Sequence, residues 1–145
     1  MYEIKHIENE DELSKVLKLC YDILGQATAQ SELYCYEAWK NRMREFSKLM
    51  LYAQDGNQIL SLVLGRAESE DSLVCGCVAC HPDFRKRGIT RSLMTQFENN
   101  AREMRFKYIT LGAADNAVGF YEKCGYAQIM EVQGQKIFQK LLNLP

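Results

Sequence analysis

Between Cys80 and Arg91 the chain reads Cys80-His81-Pro82-Asp83-Phe84-Arg85-Lys86-Arg87-Gly88-Ile89-Thr90-Arg91: a proline, three consecutive cations, a glycine, and then the apolar spacing of a helix. Such a turn suits an anion. A helix start leaves backbone N–H groups unpaired and carries the positive end of the helix dipole. Gly88 lets the backbone come close to a ligand, while Arg85, Lys86 and Arg87 add local positive charge. A pyrophosphate would be held there mainly by backbone, and a solvated basic turn that merely starts a helix is the competing reading of this segment. Farther along, Asn116-Ala117-Val118-Gly119-Phe120-Tyr121 carries a phenol into a short helical stretch. A phenol is a proton donor at neutral pH, or else a ring packed with its hydroxyl in water.

A third pattern, Cys77-Val78-Ala79-Cys80-His81, matches haem attachment and also contains a redox-like Cys-x-x-Cys. Haem attachment needs an exported chain and an exposed segment, whereas these cysteines fall in an apolar run that reads as a buried strand. Zinc needs a second Cys or His pair at ligand spacing, which does not follow. The two are therefore expected to be structural thiols, and no metal is predicted.

These residues need elements to hold them. Asn9 followed by Glu12 resembles a capping box, and Leu13, Val16, Leu17, Cys20 and Leu24 then repeat at helical spacing up to Gly25. After a mostly polar stretch from Gln26 to Gln30, Ser31 is expected to cap a second helix with the stripe Cys35, Ala38, Trp39, Met43 and Phe46. Tyr34, Tyr36 and Trp39 are candidates for lining an acceptor pocket, although an aromatic stripe at that spacing is more often core, which is the reading favoured for Trp39. Leu49 to Ala53 and Ile59 to Leu64 flank Asp55-Gly56-Asn57, a hairpin signal. Leu73 to Cys80 reads as a strand buried on both faces, completing three antiparallel strands. Ile89, Leu93, Phe97, Ala101 and Met104 mark one face of a long helix, with Arg91, Gln96, Glu98 and Arg102 on the other. Tyr108 to Leu111 follows as a strand, Ala117 to Lys123 as a short helix closed at Gly125, and Tyr126 to Met130 with Lys136 to Leu142 as a strand pair around Gly134. The order predicts one α/β domain over residues 1–145, a central mixed, mostly antiparallel sheet flanked by helices.

Arg85-x-x-Gly88-x-Thr90 between a strand and a long helix resembles the acetyl-CoA motif of the GNAT family of N-acetyltransferases, with Thr90 in place of the usual small third residue. Asn116, Phe120-Tyr121 and Gly125-Tyr126 are similar to the family's second signature, and the match is best from about Leu49 to Met130. The resemblance implies acetyl-CoA as co-substrate, bound by Val78, Ala79, Cys80, Arg85, Lys86, Arg87, Gly88, Ile89, Thr90, Asn116 and Phe120. It implies direct attack by a neutral amine on the thioester, with backbone N–H groups near Ala79 and Cys80 facing the oxyanion and Tyr121 protonating the departing thiolate. Family members often place a carboxylate base on the strand before the turn. The stretch from Leu73 to Cys80 offers none, which leaves Glu68, Glu70, Asp71, His81 or water. Thr90 either crowds the phosphates or adds a hydrogen bond to them, and for Asn116 the roles of helix cap and ligand are compatible.

Bulk properties agree with a small enzyme. The 145 residues suffice for one domain, and 47% are apolar and 26% charged, the composition of a chain that folds. A formal net charge of -1 gives no field toward nucleic acid or an anionic membrane. Neither a signal peptide nor a membrane span is evident, so a cytoplasmic location with reduced cysteines is expected. The acceptor would be a small-molecule or peptide amine, and a homodimer is left open. A catalytically silent acyl-CoA-binding regulatory module would keep Arg85 to Thr90 without needing Tyr121. A plain interaction domain would need neither.

Overall fold

The computed structural model describes residues 1–144. Its strands are β1 (Glu3–His6), β2 (Met50–Asp55), β3 (Gln58–Ala67), β4 (Ser72–Cys80), β5 (Tyr108–Ala113), β6 (Ala127–Val132) and β7 (Gln135–Leu141). Its helices are α1 (Glu10–Leu24), α2 (Gln26–Gln30), α3 (Tyr36–Phe46), α4 (Ile89–Glu103) and α5 (Val118–Lys123). The strands form one sheet in the order β1-β2-β3-β4-β5-β7-β6, antiparallel everywhere except between β4 and β5. This is the mixed, mostly antiparallel α/β architecture that the sequence predicts.

Each face of the sheet has its own core. Leu13, Val16, Leu17 and Cys20 of α1 pack with Trp39 of α3 against Leu62, Leu64 and Cys77. Ile89, Leu93, Met94, Phe97 and Ala101 of α4 pack on the opposite face against Val63, Leu73 and Cys75. Asn9 Oδ1 accepts the Glu12 N–H at 2.9 Å while Glu12 accepts the Glu8 N–H at 2.8 Å, so α1 starts from a reciprocal cap. The β6–β7 hairpin turns on Gln133 and Gly134, both left-handed at φ 50° and 82°, as a two-residue connection matched to strand twist requires.

Strand β4 serves both cores because of one irregularity. Leu64 pairs with Cys77 and Gly65 with Cys75, so Gly76 is an extra residue without a partner, a β-bulge. Before the bulge Leu73 and Cys75 face α4; after it Cys77 and Ala79 face α1. No residue of β4 is exposed, in line with the expected double burial. Only glycine fits at the bulge, since a Cβ there would lie 2.6 Å from the Tyr34 ring.

Several local expectations are corrected. Strand β1, which pairs with β2 from Glu3↔Gln54 to His6↔Leu51, was not anticipated, and neither was α2 within the polar stretch after Gly25. Ser31 does not cap α3: its hydroxyl accepts the Leu33 N–H at 3.1 Å within a turn, and Cys35 stands at the helix start. Glu98 does not lie on a solvated face of α4 but is 6% exposed. Among the described residues no helix is long and apolar enough to cross a membrane.

Candidate active site

Strands β4 and β5 pair only from Ser72↔Tyr108 to Val74↔Thr110. Beyond Val74 they part, and β4 continues unpaired on that edge through Cys80. The bulge at Gly76 lies at the start of the divergence, where the added local twist turns the strand away from its neighbour. A cleft of about 1040 Å³ fills the opening, lined by Cys75, Gly76, Val78, Ala79 and Cys80 of β4, the turn Phe84–Arg91, and Asn116, Phe120 and Tyr121. It reaches through the sheet to Ile23 and Leu24 at the end of α1.

The direction of the β4 backbone groups follows from one bond. His81 N–H donates to the Leu60 carbonyl at 2.8 Å, so His81 faces β3, and alternation turns Cys80 and Val78 toward the cleft and Ala79 toward β3. Arg85 Nε donating to the Cys80 carbonyl at 3.2 Å agrees with this, as does Ser61 Oγ donating to the Ala79 carbonyl at 2.9 Å. The sequence expectation of a donor near Ala79 is thus shifted: Ala79 lines the cleft, but its N–H points into the sheet. Val78 and Cys80 present free donors to the cleft.

At the mouth, the turn before α4 reverses through left-handed residues at Lys86 (φ 65°) and Gly88 (φ 79°). The first bond of the helix ladder runs from Ser92 N–H to the Gly88 carbonyl at 3.0 Å, so the N–H groups of Ile89, Thr90 and Arg91 precede it. A Cβ on Gly88 would meet nothing within 4 Å, which leaves the space over these donors open. Among the described residues Arg85, Lys86, Arg87 and Arg91 form no ion pair with a carboxylate. Arg87 stacks over Phe84 at 5.2 Å, and Arg91 reaches the Lys123 carbonyl at 3.4 Å, tying α4 to α5. Unspent donors and unneutralised cations at one helix start form an anion site.

Thr90 plays a part that the sequence reading did not foresee. Its Oγ1 lies 2.8 Å from Ser61 Oγ, and because Ser61 gives its only proton to the Ala79 carbonyl, Thr90 is the donor of that pair. The hydroxyl is therefore turned inward and fastens the start of α4 to β3 and β4. Ser61 is fully buried, and the sequence signal for it was a lone hydroxyl inside the apolar run Ile59 to Leu64.

Tyr121 borders the cleft from α5, its ring edge-on to Phe120 and Tyr126 at 5.2 and 6.0 Å. It is 6% exposed. Burial, reinforced by the neighbouring Cys75 and Cys124 thiols, pushes its phenol above the ordinary value near 10, so it stays protonated at neutral pH. Asn116 lines the cleft but caps no helix, since neither the turn Asp115–Ala117 nor α5 has a side-chain cap. A buried network fixes α5 in place. Glu98 accepts from Tyr126 Oη at 3.0 Å and from Lys140 Nζ at 2.8 Å, and Lys140 also donates to the Cys124 carbonyl at 2.7 Å.

The candidate bases do not converge on this cleft. Glu70 and Asp71 sit at the closed end of the β4–β5 pair, where Asp71 meets Lys107 at 3.5 Å. At ~3.3 Å per residue they lie on the order of 20 Å from Val78. Glu68 is held at 3.8 Å by Arg66, and His81 Nδ1 is occupied by the Asp83 N–H at 3.1 Å. Cys77 and Cys80 stand three residues apart on a strand and so point to opposite faces, Cys77 toward Cys20 of α1. They cannot act as a pair.

The chain matches the acetyltransferase (GNAT) domain over residues 12–140 and belongs to the GNAT acetyltransferase family, which makes it an acyltransferase. Its fold is similar to that of PaiA N-acetyltransferase from Thermoplasma acidophilum in complex with coenzyme A, with a TM-score of 0.79 at 17% identity over 97% of this chain and 99% of that one. It is also similar to Ard1 from Thermoplasma volcanium (TM-score 0.77, 16% identity, 98% of each chain). A third likeness is to the ribosomal-protein-S18-alanine N-acetyltransferase from Escherichia coli (TM-score 0.73, 11% identity, 100% of this chain and 96% of that one). At these identities the likeness is one of fold.

Proposed function

We propose that the protein transfers an acetyl group from acetyl-CoA to a primary amine by direct attack within the β4–β5 cleft. The observation that carries this reading is the combination, in one opening, of unspent backbone donors at Val78 and Cys80, an unneutralised cationic helix start, and a protonated buried phenol. The family membership and the solved neighbour with coenzyme A support the choice of co-substrate.

In this reading the N–H groups from Arg85 to Arg91, with the cations around them, bind the pyrophosphate. The open edge of β4 aligns the pantetheine arm as an added strand would, and Asn116 and Phe120 border it. Val78 or Cys80 N–H faces the thioester oxygen and stabilises the charge that develops as nitrogen attacks carbon. The C–N bond forms, the C–S bond breaks, one proton leaves nitrogen for water, and the released thiolate takes one from water. Tyr121 donates its hydrogen bond to sulfur as charge develops there. Its raised pKa makes complete transfer to a thiolate of pKa about 8.5 uphill, so the hydroxyl stabilises the transition state and keeps its proton in the resting enzyme. With no carboxylate at hand among the described residues, water removes the amine's extra proton; for an amine of pKa about 10.4 the neutral form at pH 7 costs roughly 4 to 5 kcal/mol. Thiol release from acetyl-CoA across an amine panel tests the reading, which predicts acceptor-dependent release. Tight acetyl-CoA binding with no release from any amine would sink it.

A further inference from the structure

On the α1 side of the sheet, behind the bulge, two arginines share one aromatic stack. The Tyr34 and Trp39 rings are 5.7 Å apart and nearly parallel at 15°. Arg42 lies 4.5 Å over Trp39 and 6.0 Å from Tyr34, and Arg66 lies 5.7 Å from Tyr34 and donates from Nε to its hydroxyl at 3.2 Å. Tyr21 Oη in turn donates to the Tyr34 carbonyl at 2.6 Å, which fixes the segment between α2 and α3. The Tyr34 ring sits directly on Gly76, and Gly76 lines the cleft. The stack therefore lies directly behind the part of the cleft wall formed by Gly76, on the sheet face toward α1.

The charges in this stack are not balanced. Arg42 has no carboxylate within ion-pair range among the described residues, and its Nη1 is buried without a hydrogen-bond partner. Arg66 has only Glu68, at 3.8 Å, a side chain that is itself largely in water. Burial and the nearby Arg66 charge both hold the Arg42 guanidinium below its ordinary pKa. Two planar cations that both lie against the Tyr34 ring, one of them with an unpartnered Nη1, offer the kind of forked donor that a carboxylate accepts. Trp39 alone is core, but Tyr34, Arg42 and Arg66 form a surface that lacks an anion.

The geometry points to Arg42 and Arg66 as an acceptor carboxylate site, so that the amine this enzyme acetylates also carries a carboxylate, as an amino acid or a peptide does. This rests on the transferase reading above, and it deepens it by naming the substrate class. Tyr34 orients the pair, and the exposed Glu68 acts as a displaceable internal carboxylate on Arg66.

The test has two arms. Free amino acids and their matched carboxamides are compared as acceptors by thiol release, and the same compounds are titrated into the CoA-loaded protein while the Arg42 and Arg66 Nε–Hε resonances are followed by NMR. The expected result is at least a tenfold preference in kcat/KM for the carboxylate member of the best pair, with shifts of both resonances on adding carboxylates and none on adding carboxamides. Arg66→Gln and Arg42→Gln should reduce the preference to less than about threefold while acetyl-CoA affinity holds. Equal use of carboxamides, or a preference that survives both substitutions, overturns the proposal. So does the absence of resonance shifts in the wild-type protein, a measurement that needs no variant to fold and no turnover. Carboxylate-specific shifts without release from any acceptor would instead count against the transferase reading alone.

Discussion

Removing the hydroxyl of Thr90 should weaken the protein and leave acetyl-CoA binding nearly unchanged. The Thr90 proton is directed to Ser61, 2.8 Å away, and not into the cleft. A hydrogen bond of this kind contributes about 0.5–1.5 kcal/mol, and the better helix propensity of alanine recovers up to about 0.5 of it. Thr90→Ala is thus expected to cost about 0.5–1 kcal/mol. Ser61→Ala removes a fully buried group that both accepts from Thr90 and donates to the Ala79 carbonyl at 2.9 Å, leaving the Thr90 hydroxyl without its acceptor while the Ala79 carbonyl keeps its ladder bond to β3, so its cost should be about 1–3 kcal/mol. For a chain of 145 residues 1 kcal/mol corresponds to about 3 °C in Tm. Melting the two single variants and the double variant without ligand gives the coupling energy directly, since propensity effects cancel around the cycle. A coupling of about 0.5–1.5 kcal/mol, with the Kd for acetyl-CoA in Thr90→Ala within about threefold of wild type, is the expected outcome. Additive losses, or a tenfold weaker Kd in Thr90→Ala, would show that the hydroxyl belongs to the phosphate site and refute the reasoning.

Tyr121→Phe should lower kcat by about 10²-fold with little change in acetyl-CoA affinity, measured where chemistry limits the rate; an unchanged kcat would mean that the hydroxyl does not stabilise the departing sulfur. Glu98→Ala leaves Lys140 without its carboxylate and frees the Tyr126 hydroxyl, and because Lys140 keeps part of its side chain in water the loss should sit near the low end for a buried pair, about 3 kcal/mol by urea unfolding. The phenols of Tyr52, Tyr121 and Tyr126 are all raised by burial, so the folded protein holds protons there that the unfolded chain releases first. Stability should accordingly be level up to about pH 10 and fall as pH rises beyond it, seen as a falling Tm, and a Tm that rises there would contradict the assignment.

The parts of this molecule that were legible in the sequence are those set by local rules. The period of Leu13, Val16, Leu17 and Cys20 gave α1, Asp55-Gly56-Asn57 gave the β2–β3 hairpin, and the cations before Gly88 marked the start of α4. What was not legible depends on distant partners. Strand β1 has only four residues, Glu3 to His6, too few to signal a strand by themselves, and is held by β2 beside it. Glu98 is buried because Lys140, 42 residues away, meets it there. The separation of β4 from β5 begins beside a bulge at Gly76, and the Tyr34 ring that packs on that glycine comes from a segment with no sequence relation to it. The same bulge and the pairing of His81 with Leu60 set which β4 donors face the cleft, and moved that role from Ala79 to Val78. At the turn before α4, by contrast, the sequence placed the helix start correctly, because a helix start is a local feature, although the inward bond of Thr90 to Ser61 again depends on a distant partner.

The central claim, that the β4–β5 cleft is an acetyl-CoA site with its anchor at the start of α4, is tested most directly by calorimetric titration of acetyl-CoA into the wild-type protein and Gly88→Glu. Gly88 is left-handed at φ 79° and faces open space, so a glutamate there sets a carboxylate where the proposal puts the pyrophosphate. Gly88→Asn, which tolerates the same backbone, controls for strain. The account predicts saturable binding to the wild type and to Gly88→Asn, and a loss of about two orders of magnitude in folded Gly88→Glu, as like charges in contact require. Equal affinity in wild type and folded Gly88→Glu would contradict it.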